Sequence, residues 1–197
     1  MRSRLQRYLA SLPSGLASFE GYRAKGSLVR ESLALRPLKN IAALPRELAA
    51  YVEAPPLASS WVPEAHYVAL SLAMADEHGL DREGFRQFWR EVMHKLTDGT
   101  YSVLLGMVHP ETLLRGTAAR WAHFHEGTRV SSQIEDGRFT VLFEAPTGLF
   151  DELLFDGYEG VLQGLIDRSR KPKGRAELGE IKHEAGMTRV KYLLGGW

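Results

Sequence analysis

The hydrophobic period of this chain changes after its first two thirds, and that change limits the folds open to it. Up to Trp121 the apolar residues recur at helical spacing. After it they alternate: Val130, Ser132 and Ile134 on one run, Phe139, Val141, Phe143 and Ala145 on the next. Asp136-Gly137 joins the two runs, and alternating runs joined by Asp-Gly predict a β-hairpin. A helical stripe returns with Leu153, Leu154, Tyr158, Val161, Leu162, Leu165 and Ile166, within a helix predicted over about 150–168. Arg175 to Glu184 and Met187 to Leu194 then read as a second hairpin through Ala185-Gly186, with Thr188, Val190, Tyr192 and Leu194 on one face. The expected fold class is α+β. A helical layer packs on a small antiparallel sheet of about four strands, two hairpins with an intervening helix.

Punctuation in the first half divides the helices. Leu5, Tyr8, Leu9 and Leu12 give residues 1–12 an amphipathic stripe that Pro13-Ser14-Gly15 ends. Tyr22 to Lys25, bracketed by Gly21 and Gly26, reads as extended. Ser27 is the expected cap of a helix to Leu35, Pro45 precedes one over 46–52, and Ser60 caps the next with Pro63 in its first turn. Asp81 caps the clearest helix, where Phe85, Phe88, Trp89, Val92, Met93 and Leu96 fall at i, i+3, i+4, i+7, i+8 and i+11. Thr100 to Val108 is either helix or strand. Pro110 opens a helix carrying Leu113, Leu114, Thr117, Trp121 and Phe124 along one side. The domain division expected is an N-terminal extension, 1–21, followed by one α+β domain, 22–197.

Lys and Arg total 25 against 24 Asp and Glu, so the net charge of +1 gives no general attraction to nucleic acid. With no cysteine, disulfides, thiolate catalysis and cysteine-ligated metals are excluded. No apolar run approaches the roughly 18 to 20 residues of a membrane span. The expected location is cytoplasmic. Neither Gly-x-Ser-x-Gly nor a P-loop occurs, and Asp151, Glu152 and Asp156 suit a helix start better than acid–base chemistry. His94, His109, His123 and His125 form no ligand spacing, so neither a catalytic nor a metal site is expected.

Three stretches resemble an uncharacterised family found mainly in myxobacteria: Lys25-Gly26-Ser27-Leu28-Val29-Arg30, Ser60-Trp61-Val62-Pro63-Glu64 with Tyr67 to Leu70, and His109-Pro110-Glu111-Thr112-Leu113-Leu114 leading to Trp121. The terminal helix, the last hairpin and Trp197 extend the likeness over most of 22–197. That family looks like a branch of the superfamily of haem–nitric-oxide-binding, V4R and transport-particle (TRAPP) domains. The resemblance implies a helical layer over a small sheet, holding haem or another hydrophobic molecule in some relatives and assembling with partners in others. The Tyr-x-Ser-x-Arg motif that grips haem propionates is absent, as are the cysteines of V4R relatives. No cofactor is therefore expected, haem included.

Aromatic residues crowd the helical half. Trp61, Tyr67, Trp89, Tyr101, Trp121 and Phe124 are the candidate walls of an apolar pocket, and ordinary core packing is the competing reading. Arg120 brings a charge to that region, with a surface ion pair as its alternative. Arg168, Arg170, Lys171, Lys173 and Arg175 form a basic run for an anion or partner, or a solvated loop. The expectation is a non-enzymatic sensory or adaptor domain for a small hydrophobic ligand or a protein. The alternatives are a structural dimerisation module or a tetrapyrrole-binding enzyme.

Overall fold

The computed structural model describes residues 2–135, 138–170 and 173–196, with the backbone alone for 100–102 and 135. The Asp136-Gly137 turn, Lys171, the Tyr101 side chain and Trp197 lie outside the described residues.

The chain opens with α1 (Arg4–Ser11), whose cap Ser3 accepts from Gln6 N. Leu5, Tyr8 and Leu12 join the main core, and the Tyr8 hydroxyl donates to Leu149 O at 2.8 Å. Asp76 holds the helix start by accepting from the amides of Arg4 and Leu5. After the extended piece β1 (Pro13–Leu16) come β2 (Arg23–Lys25), α2 (Gly26–Leu35), a 3-10 turn (Ile41–Ala43), α3 (Arg46–Glu53) and β3 (Trp61–Pro63).

Two helix starts differ from the expected ones. Ser27 caps nothing, because α2 begins before it, at Gly26, with Lys25 in the cap position. A Cβ at Gly26 would sit 2.2 Å from Leu57 O, so only glycine fits there. Ser60 is not a cap either. Its hydroxyl closes a turn onto Leu57 O, its carbonyl accepts from Gly26 N, and the following three residues pair with β2 as a strand.

α4 (Glu64–Glu77) is buried nearly all round, as befits a central helix. α5 (Arg82–Leu96) presents the predicted stripe, and Asp81 caps it through Gly84 N. α6 (Thr100–Gly106) resolves the helix-or-strand ambiguity as helix. The single helix expected from Pro110 is two: α7 (Pro110–Arg115) and α8 (Thr117–Phe124), broken at Gly116.

β4 (His125–Glu126) completes a three-stranded antiparallel sheet, β3-β2-β4. Its strands are too short, and too far apart in sequence, to leave an alternating signal. The main sheet contains β5 (Arg129–Glu135), β6 (Arg138–Pro146), β7 (Arg175–Glu184) and β8 (Met187–Gly195) in the antiparallel order β5-β6-β8-β7. Ala185 (φ 50°) and Gly186 (φ 77°) make the two-residue turn between β7 and β8.

Between the hairpins runs α9 (Glu152–Asp167), capped by Asp151. It lies very close to α5. A Cβ at Gly160 would fall 2.1 Å from Arg86 O, and one at Gly157 2.6 Å from the Trp89 ring. Asp156, expected to suit the helix start, stands in the second turn of α9. It is buried, and it accepts from Arg82 Nε at 2.8 Å and Arg86 Nη2 at 3.3 Å. Among the described residues no helix is long and apolar enough to cross a membrane.

Candidate functional site

A cavity of about 90 Å³ lies where the helices meet the main sheet. α5 supplies Trp89, Val92, Met93 and Leu96 to it. α9 supplies Tyr158, Val161, Leu162 and Leu165. Val130, Val141, Phe143 and Tyr192 form the sheet side. The alternation of the strands explains that side, because Val141, Phe143 and Tyr192 are inward positions of β6 and β8. α8 contributes Thr117, Arg120, Trp121 and Phe124, at i, i+3, i+4 and i+7, which is one helical face.

Four of the candidate aromatic residues therefore meet at one cavity: Tyr67, Trp89, Trp121 and Phe124. Trp61 does not. It sits on β3 under the Lys25 ammonium, which lies 4.0 Å from its ring centre. Arg120 is on the cavity wall and has no ion-pair partner among the described residues. Its Nε and Nη2 are shielded from solvent without a hydrogen-bond acceptor, and burial pushes its guanidinium pKa down.

In the basic run Arg170, Lys173 and Arg175 are exposed and Arg168 is half-buried. Arg168 pairs with Asp98 at 2.5 Å. Lys173 and Arg175 flank a groove that also holds Glu83, Glu159 and Asp167. Arg170 is exposed, and its amide donates to Val108 O.

One site pair was not visible in the sequence. His125, 5% exposed, places Nδ1 3.0 and 3.2 Å from the two carboxylate oxygens of Glu64, which is 0% exposed. The Trp121 ring stacks on the imidazole, with 3.9 Å between centres and 11° between planes. Trp121 is fixed in turn by donating Nε1 to Thr128 Oγ1 at 2.8 Å. Tyr67 meets the same imidazole edge-on at 5.8 Å. Burial, reinforced by the nearby Glu64 charge, drives the Tyr67 and Tyr158 phenol pKa values well above the ordinary one. The signal available was Glu64 itself, a carboxylate opening a helix that is otherwise rich in Ala, Val, Leu and Met. Such a charge needs a buried partner. Among the described residues no cluster of three or more His, Asp or Glu could hold a metal ion.

No protein-family model matches the sequence, and no curated protein matches it. Solved structures do match. A point mutant of the T. tengcongensis H-NOX domain superposes with a TM-score of 0.59 at 13% identity, covering 86% of this chain and 96% of that one. An oxygen-binding H-NOX domain related to soluble guanylate cyclases, solved as its oxygen complex, gives 0.57 at 11% identity, over 86% and 90%. The S. oneidensis H-NOX protein in its Fe(II)NO state gives 0.57 at 12% identity, over 87% and 99%. The fold is the H-NOX fold. The cavity of this H-NOX-like chain thus lies in a fold shared over almost the full length of those domains, at 11 to 13% sequence identity.

Proposed function

We propose that this chain is a non-enzymatic sensor domain that takes a small, mainly apolar molecule into the cavity between α5, α8, α9 and the main sheet. The observation that carries the reading is that cavity, about 90 Å³ and walled by buried and half-buried aliphatic and aromatic side chains. Apolar side chains normally close over one another, so an apolar hollow of this size where the helices meet the sheet calls for a reason. The H-NOX structures it resembles are described with haem, oxygen or nitric oxide bound, which supports a sensing role on the same scaffold.

Haem is not the ligand of this reading. Pockets for drug-sized ligands span roughly 300–1,000 Å³, several times this volume. The imidazole on the cavity wall, His125, is tied to Glu64 and covered on one face by Trp121. The reading is therefore of a haem-free member of this architecture. Occupancy would shift the packing of α8 on the sheet and change the surface offered to a partner. Kinship with V4R and TRAPP domains remains our inference from the three matching stretches.

A second reading, a docking or dimerisation module, draws on Val103, Leu104 and Met107, which are exposed on and beside α6. One set of titrations separates the two. Xenon, followed by its NMR shift, should bind saturably, and Val141→Phe or the milder Val161→Leu should abolish or weaken that binding. Added haemin should give no stoichiometric Soret band. An absence of xenon binding would reject the cavity reading. If that came with an oligomer that Met107→Glu dissolves, the docking reading would stand in its place.

A further inference from the structure

We propose that the cavity takes a neutral hydrocarbon of about three or four carbon atoms and refuses molecules of the same size that carry a hydroxyl or a carbonyl. This rests on the cavity reading above and names the chemical class of its ligand.

The polar atoms around the hollow are committed elsewhere or covered. Trp121 donates Nε1 to Thr128 Oγ1, Tyr192 donates its hydroxyl to Phe155 O at 3.1 Å, and His125 Nδ1 is held by Glu64. Protein shields Thr117 Oγ1, Trp89 Nε1, the Tyr158 hydroxyl, and Nε and Nη2 of Arg120. The Arg120 guanidinium lies back over Gly116, at the start of α8, where a Cβ would come 2.9 Å from Nη1. What faces the space is almost wholly carbon. A hydroxyl or carbonyl brought into it gives up its hydrogen bonds to water and gains none.

The margin of the hollow has the same character, Arg120 excepted. Leu96 on α5, Val161 on α9, Trp121 and Phe124 on α8, and Val130 on β5 are its half-buried side chains. A hydrocarbon can therefore enter along apolar surface.

Size narrows the class. An engineered apolar cavity of roughly 150 Å³ accepts benzene, which has six carbons. The volume of about 90 Å³ in this chain scales to about three or four. Aromatic faces from Trp121 and Phe143 and branched side chains from Val141, Val161 and Leu162 surround that space. Contacts on several sides favour a compact, branched molecule, because dispersion attraction falls off steeply with separation.

The test is a methyl NMR titration of the intact chain with isobutane, isopropanol and acetone, with xenon reporting the cavity itself. Isopropanol and acetone keep the size of isobutane and add a polar atom. Isobutane should bind saturably and shift the methyl signals of Val141, Val161 and Leu162. Both polar analogues should bind about tenfold more weakly or worse. Neohexane should bind no tighter than isobutane, because its extra carbons have no wall to meet. Val141→Thr puts a hydroxyl into the wall at nearly the same shape and should narrow the preference for isobutane over isopropanol severalfold. Val161→Thr, on the margin, gives the same readout if the first variant does not fold. Xenon binding without isobutane binding overturns this inference and leaves the cavity reading standing. Failure of both overturns both. Tighter binding of neohexane overturns the size assigned. A polar analogue that matches isobutane, or a preference that neither threonine variant alters, overturns the hydrocarbon assignment.

Discussion

Glu64 is a single residue on which two levels of structure depend. Its amide donates to Tyr22 O, which starts α4, and its carboxylate meets His125 just past the end of α8. Removing only the acid strands a buried imidazole nitrogen. Glu64→Leu should therefore cost about 2 kcal/mol or more. Glu64→Leu with His125→Leu should recover part of that loss, because replacing both partners leaves no unpaired group. Urea denaturation of the two variants checks this. A double variant less stable than the single one would contradict it. The histidine–glutamate match spans 61 positions, so no local pattern could reveal it. Arg120 was legible only as a charge near aromatic residues. That it lacks a carboxylate is a fact of three-dimensional neighbours.

At the scale of elements, the contact of α5 with α9 is set by glycines. Gly157, Gly160 and Gly164 face α5, and the Gly160 position lies against backbone, which cannot rotate away. Gly160→Ala should destabilise by about 3 kcal/mol or more through overpacking. Gly106→Ala should be neutral or slightly stabilising, since its nearest neighbour is 3.9 Å away and α6 gains a better helix former. Thermal unfolding of both tests the contrast. The α5 stripe, the α9 stripe and both hairpins were readable because each buries one face with its own period. The three-stranded sheet was not, since two- and three-residue strands carry no period. Trp61 shows the cost of that gap. Its sequence context reads as the start of a helix with a pocket-facing aromatic, and it lies instead on an edge strand of the small sheet.

For the whole molecule, stability should form a plateau between two titrations. His66 has its pKa lowered below 6.5, chiefly by burial, with Leu16 and Glu47 opposing. The unfolded chain then binds the proton first, so stability is full above about 6.5 and declines as pH falls below it. Tyr67, Tyr158 and Tyr192 have pKa values raised above 10.0, chiefly by burial. The unfolded chain loses those protons first, so stability is full below about 10 and declines as pH rises beyond it. Tm measured across pH should show both limbs, with His66→Gln flattening the acid one. An acid limb unchanged in that variant would assign it to other groups. The two-layer architecture was legible as a whole because alternating runs replace the helical period after Trp121 and again after the 150–168 helix. The volume left between the layers was not, because it depends on how side chains from helices and strands far apart in sequence fail to fill a space.

Strand β8 occupies an inner place in the main sheet, paired with β6 along one side and β7 along the other. A chain still emerging from the ribosome, with Met187 to Gly195 not yet released, leaves the apolar β6 with a bare hydrogen-bonding edge and β7 with no neighbour. Such an edge recruits strands from other molecules. Until β8 is in place, that exposed edge of β6 is the part of this sheet most open to pairing with another molecule.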